Sequence, residues 1–512
     1  MTGIYIQIKK SKSQLNLKNP AEIYNKLAHR GNYLTFSMQT NNFILFSCFQ
    51  RHLMEYHDCI CSYESEDNSD PDFCVIDGQI FNLSDISIGN SEHEITTAAK
   101  KMYHLFKTEG LESLKKINGI YSVVLKIADQ FIAIKDPIGN NPLYIAEQKE
   151  FIIFASELKS LPKDVESTWI LPPGSAFFYD TKNNLGNLQT FYDVDQLLER
   201  VKNPESNINV IKQNIMDLLS KSVHNAISVN GTVGALLSGG IDSSIICALA
   251  LKENPNTPLF TIGVQDSKDI VHAKLFSSQY PDIEHYIHTI TFEDIKKEVP
   301  NVIKSLETFD AALIRSAIPM YILCSKAKNK IDVLLTGEGA DELFGGYEYM
   351  KKLNQKQFNR ELIKLLEVEH ATGLQRVDRI PYSFGIEARA PFFDLSLVEY
   401  SFQIPSEYKL YQENGEVIEK WVIRETFKDM LPSEIAFRKK AKFSQGVGSE
   451  LLLRDYFNRL ISDREFEAEK EIIKGVIVKS KEELYYWKIF NKEFNVPDDF
   501  IRSIPRTSNF TI

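Results

Sequence analysis

The sequence predicts two domains, an N-terminal α+β layered domain over residues 1–198 and a C-terminal α/β domain with a doubly wound parallel sheet over residues 208–512. Three observations carry this reading. From Ile4 to about Tyr192 the chain is a succession of short apolar or alternating runs bounded by turn residues; from Ile208 onward, strand-like and helix-like stretches alternate; and Glu199 to Asn207 reads as a polar linker. A chain of 512 residues is long enough for two separate cores.

In the first domain, Phe43–Ser47, Phe73–Ile80, Tyr121–Leu125 and Phe151–Phe154 are the clearest strands. Between them Ile95, Ala98, Met102, Leu105 and Phe106 form a stripe of helical period, which predicts a helix over Glu94–Lys115. In the second domain, Ile208, Ile211, Ile215, Leu218 and Leu219 mark an amphipathic helix. Strands are expected at Val233–Leu237, Leu259–Val264, Tyr286–Ile290 and Val333–Leu335. Helices are expected near Asp269–Ser278, Phe292–Leu306 and Ala317–Lys328. Such a sheet binds ligands beyond the carboxyl ends of its strands, where the two glycine-rich turns after Leu237 and Leu335 fall.

The first of these turns is Ser238-Gly239-Gly240-Ile241-Asp242-Ser243-Ser244. Paired glycines let backbone amides approach a ligand that a β-carbon would keep away, the serines add hydroxyls, and a helix N-terminus favours an anion. Two glycines alone would be an ordinary turn; the seven-residue order points to a phosphate or pyrophosphate. The second turn, Thr336-Gly337-Glu338-Gly339-Ala340-Asp341-Glu342, puts acids beside that anion site. Carboxylates tolerate a polyanion when a divalent ion lies between them, and Asp242 with Asp341 could supply one oxygen donor from each turn to magnesium. Each acid taken alone is explained equally by helix capping and the helix dipole. Further on, Gly385–Asp394 reads as a compact charged and aromatic turn, and Arg438–Gly448 as a basic run able to bring a lysine to the phosphates.

A net charge of −10 argues against a sequence-independent nucleic-acid binder. No apolar run has the length of a membrane span and Met1–Lys12 lacks the apolar core of a signal peptide, so the expectation is a cytoplasmic protein with neither nucleic-acid nor membrane partner. Six cysteines do not make a disulfide framework in so long a chain, and Cys59-x-Cys61 has no second pair to complete a metal site.

In order and rough spacing, the seven-residue loop, Gly337–Glu342, Val377-Asp378-Arg379, Gly385–Asp394 and the lysine-glycine segment resemble the asparagine synthetase B family, which also includes β-lactam synthetases and lasso-peptide cyclases. Val75–Asn82, Lys135–Gly139 and Ala155–Lys159 extend the resemblance through the N-terminal half. It implies an Ntn-type αββα sandwich of the class II glutamine amidotransferase kind, followed by an ATP pyrophosphatase domain. It further implies ATP and Mg2+ as cofactors, attack of a substrate carboxylate on the α-phosphorus of ATP, and displacement of AMP from the acyl-adenylate by an amine. Carried over residue by residue, Ser238, Gly239, Gly240, Asp242, Ser243 and Ser244 would hold pyrophosphate, and Asp242 and Asp341 magnesium. Leu237, Val264 and Gly337 would touch the nucleotide. Lys440 would meet the charge developing on phosphate, Glu338 would sit by the reacting acyl group and assist the amine, and Arg315 would bind the carboxylate of an amino-acid substrate.

The resemblance fails in places. The family's glutaminase uses a cysteine exposed by removal of Met1, whereas this sequence reads Met1-Thr2, and the glutamine-binding Asn-Gly-Glu is Asp77-Gly78-Gln79. An inactive glutaminase domain is therefore expected, with Thr2 as the alternative nucleophile. Ala312-Leu313 stand where the family's asparagine synthetases have threonines, which suggests another acid, while Glu338 is the residue of the asparagine synthetases. The expected activity is an amide-forming ligase, of the kind that serves natural-product pathways, whose amine does not come from glutamine. The alternatives are an asparagine synthetase fed by ammonia or by Thr2, and a non-catalytic nucleotide-binding scaffold. Oligomeric state is open, a homodimer being one option.

Overall fold

The computed structural model describes residues 2–10, 20–31, 34–50, 59–63, 70–83, 86, 97–200, 204–439, 447 and 449–507. The chain forms two compact units: Met1–Asp193 with Asn491–Ile504, and Val194–Phe490 with Pro505–Ile512.

The first unit is built on two six-stranded antiparallel sheets. One orders its strands Ser167–Ile170, Tyr144–Glu147, Phe151–Ala155, Thr2–Lys9, Phe43–Phe49 and Leu34–Gln39; the other orders Leu185–Thr190, Ser175–Asp180, Gln130–Lys135, Gly119–Ile127, Asp72–Ile80 and Ile60–Tyr63. Period-two alternation explains how they stack. Ile4, Ile6, Ile8, Phe43 and Leu45 from the first sheet meet Phe73, Val75, Val124, Phe131 and Phe177 from the second in one core. The helix Ala98–Glu109 packs on Asp72–Ile80 and buries Met102, Leu105 and Phe106; the helix Pro20–Leu27 packs on Thr2–Lys9. The layering is helix, sheet, sheet, helix. The predicted helix over Glu94–Lys115 is shorter than its stripe: Thr97 caps it by accepting from Lys100 N, and Gly110, at φ +61°, turns the chain into a 3-10 segment, Gly110–Lys116. Residues 94–96 lie outside the described residues.

The second unit carries a five-stranded parallel sheet in the order His285–Thr289, Leu259–Gly263, Val233–Leu236, Val333–Leu335, Glu387–Arg389. In chain order this is 3-2-1-4-5, a doubly wound arrangement whose switch point lies between Val233–Leu236 and Val333–Leu335. The fifth strand falls inside the stretch expected as a turn. It is three residues long, too short to show a period, and its buried charges satisfy each other locally: Arg389 Nε donates to Glu387 Oε1 (2.8 Å) and its Nη1 to the carbonyl of Ala226 (2.9 Å).

The division of the chain also differs from the expected 1–198 and 208–512. Leu197–Arg200 belongs to the second unit, and Asn491–Ile504 returns to the first, where the helix Asp498–Ser503 packs on Ser167–Ile170 and Phe500 meets Tyr144 with ring centroids 6.1 Å apart. Nothing in the pattern of so short a helix announces its partner. Because Phe500 is buried, Phe500→Ala should cost about 3–5 kcal/mol and lower the denaturant midpoint of the first unit; an unchanged midpoint would refute that assignment.

Candidate active site

Leu236 ends the first parallel strand, and Gly240 opens the helix Ile241–Glu253 without a side-chain cap, so the first-turn amides remain available to an anion. Gly239 has φ +68°, and a β-carbon there would lie 2.6 Å from His272 Cβ and 2.7 Å from Ala273 N. The position therefore requires glycine on both conformational and steric grounds. Ser238 and Ser243 hold the loop's shape through their hydroxyls, 2.9 Å apart, and Ser243 Oγ also donates to Gly240 O (3.2 Å).

Across the switch point the second loop lies directly on the first. A β-carbon on Gly337 would come within 2.6 Å of Ser243 N and 2.8 Å of Asp242 C. This contact brings Asp242 and Asp341 to one buried cation that the sequence reading missed. Lys420 Nζ stands 2.7 Å from both carboxylate oxygens of Asp242 and 2.6 Å from Asp341 Oδ1. Lys420 is 1% exposed and adopts φ +55° at the start of the helix Trp421–Phe427, a backbone state uncommon for lysine. Two residues of one sign, far apart in the chain, converge on one of the other sign, and no local pattern signals that.

The two loops open into a cavity of about 850 Å3. Its walls include Ser238, Gly240, Asp242, Ser243, Gly337, Glu338, Asp341 and Arg315. Leu237, Gly239, Ser244 and Val264 are not part of those walls: Leu237 and Ser244 are fully buried, and Val264 donates its N–H to Val447 O (3.0 Å). Of the basic run, Arg438 and Lys439 reach the cavity. Arg438 Nη2 donates to Asp269 Oδ1 (2.7 Å) and its Nη1 approaches Ser238 O (3.5 Å), placing a guanidinium beside the phosphate loop. Lys440 lies outside the described residues.

Arg315 reaches the cavity already matched. Its Nε and Nη2 form a fork on the Glu482 carboxylate at 2.5 to 3.0 Å, and Tyr486 OH also donates to Glu482 (2.8 Å). A substrate carboxylate would have to displace Glu482 to use that guanidinium. Glu338 is paired with Arg376 Nη2, another residue absent from the sequence reading. Behind it Glu342 is buried against Tyr347 OH, and burial first, then Asp341 and Glu338, push its carboxyl up to about 7. Among the described residues no group of three or more metal-ligating side chains occurs.

The doubly wound sheet, the uncapped glycine loop at its switch point and the paired acids define an α/β enzyme that handles a nucleotide's phosphates. Sequence comparison gives the family. A family model described as asparagine synthase matches residues 214–364 and 351–499, and one described as a glutamine amidotransferase domain matches residues 65–163. The chain is 31% identical over 443 residues to asparagine synthetase [glutamine-hydrolyzing] 2 of Arabidopsis thaliana, covering 82% of this chain and 75% of that protein. It is 29% identical over 474 residues to a probable asparagine synthetase [glutamine-hydrolyzing] of Schizosaccharomyces pombe, covering 84% and 83%. The chain belongs to the asparagine synthase family. It is an ATP-dependent carbon–nitrogen ligase of asparagine synthetase type. No helix among the described residues is long and apolar enough to cross a membrane.

Lys420→Met removes the cation between two largely buried carboxylates. The variant should lose about 3–5 kcal/mol in chemical denaturation, and added Mg2+ should recover part of the loss; equal stability with and without the lysine would show that the bridge holds nothing together.

Proposed function

We propose that this protein activates a carboxylic acid as its acyl-adenylate and joins it to an amine that does not come from glutamine. The observation that carries the reading is the convergence of the phosphate loop, Asp242, Asp341 and Glu338 on one cavity. The substrate carboxylate would attack the α-phosphorus of ATP while pyrophosphate leaves toward the amides and hydroxyls of Ser238–Ser244. Arg438, beside Ser238, supplies positive charge on the same side. Asp242 and Asp341, carboxylates from separate loops that already share the Lys420 cation, would be the residues to hold a magnesium ion. When bound, magnesium withdraws charge from the phosphate oxygens. Glu338, held by Arg376, faces the step in which the amine replaces AMP.

Support for a free amine lies in the first unit. Asp77, at the position of the family's glutamine-binding asparagine, is fully buried and paired with Arg30 Nη2 (3.1 Å), and Arg30 Nη1 also donates to Glu157 (2.8 Å). Its carboxylate is thereby committed to the protein's own cation. Cys48, which donates from Sγ to Leu27 O (3.3 Å) close to Gly3, has its thiol pushed up to about 12 by burial, which suits packing and not nucleophilic attack.

Two readings of the acid have specific support. The relatives near 30% identity are named glutamine-hydrolyzing asparagine synthetases, which supports aspartate as the acid more strongly than any other, with ammonia, free or released by a Thr2-dependent glutaminase, as the amine. The fork between Arg315 and Glu482 favours an acid that needs no second carboxylate at that guanidinium, as in a natural-product pathway. Labelled pyrophosphate should exchange into ATP when the right acid is present, with AMP and pyrophosphate as products, and Asp242→Asn should reduce exchange by at least about a hundredfold. Release of ADP would refute the reading. Aspartate with ammonium should give asparagine if the first assignment of the acid holds, and product formed with glutamine but not with ammonium would refute the free-amine assignment.

A further inference from the structure

Cys59 and Cys61 lie in the first unit and have no part in the ligase chemistry, but the fold gives Cys61 a partner. Ile60–Tyr63 is the terminal strand of its sheet and pairs antiparallel with Asp72–Ile80, which sets Cys61 directly opposite Cys74. Ile76 donates its N–H to Cys59 O (2.8 Å), so those two residues are a hydrogen-bonded pair and, by alternation, so are Cys61 and Cys74. The Cα atoms of such a pair stand about 5.5 Å apart, inside the range that a disulfide spans. Ile60, Phe73 and Val75 turn into the core between the sheets, so Cys61 and Cys74 share the other face, on which the helix Ala98–Glu109 packs. No third metal-ligating side chain joins them among the described residues, which leaves the two thiols to each other.

The two differ in kind. Cys74 is fully buried, whereas Cys61 keeps 8% of its surface exposed on the terminal strand. The neighbouring Cys74 thiol first, then Tyr63 and Lys100, hold the Cys61 thiol below its ordinary value in spite of burial, while burial raises the thiols of Cys48, Cys74, Cys247 and Cys324. A reachable sulfur of thiolate character thus faces an enclosed one. We propose that Cys61 and Cys74 form an oxidation site, in which Cys61 reacts with a peroxide and Cys74 resolves the product as a disulfide. In the first step the Cys61 sulfur attacks a peroxide oxygen, the S–O bond forms, the O–O bond breaks, and the departing oxygen leaves as water; sulfur is oxidised and the peroxide reduced. In the second, the Cys74 sulfur attacks that of Cys61, the S–S bond forms, the S–O bond breaks, and a second water carries away the Cys74 proton. The bond fastens the terminal strand to the strand that carries Asp77. None of this depends on the ligase reading.

Hydrogen peroxide is the probe, added at neutral pH to the purified full chain after complete reduction. Peptide mapping without reductant should find Cys61 joined to Cys74, the intact chain should be lighter by two hydrogens, and a dithiol should reverse both. In Cys74→Ser the reaction should stop at a sulfenic acid on Cys61 that dimedone captures, and in Cys61→Ser the loss of thiol to peroxide should slow at least about tenfold. A wild-type chain that gains no such link, a link from Cys59 in place of Cys61, or an unchanged rate in Cys61→Ser overturns the site. Limited alkylation of the reduced wild-type chain asks the same question without a variant: iodoacetamide should label Cys61 before any other cysteine, and labelling of Cys48, Cys59, Cys247 or Cys324 first overturns the assignment equally.

Discussion

The active region depends on the contact between two loops at the switch point of the parallel sheet. Gly337 touches the backbone of Asp242 and Ser243 with no room for a side chain, and that contact brings two carboxylates of the same sign together. Lys420 makes the approach tolerable. Its ammonium lies within 2.7 Å of both acids, so the loops are drawn together by one cation that is itself buried. Shifting either loop would separate Lys420 from one acid and leave that acid's charge unmatched. Geometry and electrostatics thus constrain the same few atoms.

Around this clamp the cavity divides its labour by charge. The phosphate side offers uncapped amides, serine hydroxyls and the Arg438 guanidinium, all suited to anions. The cavity also carries acids, with Glu338 held by Arg376 and with Glu342 and Glu369 buried. The 850 Å3 cavity is lined by both kinds of group. Arg315 is a further cation within the cavity, its charge already matched by Glu482.

Much of this could be read from the sequence because it is local. The strand, glycine turn and helix around Ser238 are contiguous, and the helix Phe292–Leu306 begins and ends where its apolar period does. The strands of the first unit were legible for the same reason, since Phe43–Phe49 and Phe151–Ala155 are short contiguous apolar runs and are buried almost throughout. What escaped is held by distance along the chain. Lys420 sits in a left-handed turn of a polar segment with nothing nearby to mark it. Arg376 and Glu369 look like ordinary charges on two helices until the fold turns them inward, and Glu387–Arg389 is too short for any period. The return of Asn491–Ile504 to the first unit is likewise a matter of what Phe500 meets and not of the helix that carries it.

The buried ion cluster of the first unit has a further consequence for how this protein can change over time. Arg30 is wholly enclosed and balanced by Asp77 and Glu157, while Lys159 and His29 also lean on Glu157. An amide at position 77 would remove one of the two carboxylates paired with Arg30, and removing Arg30 would take from Asp77 the guanidinium it meets in a dry interior. Neither single change is easily tolerated, although the pair together could be. The cluster therefore works as a coupled unit, in which positions 30 and 77 can change together more readily than either can alone.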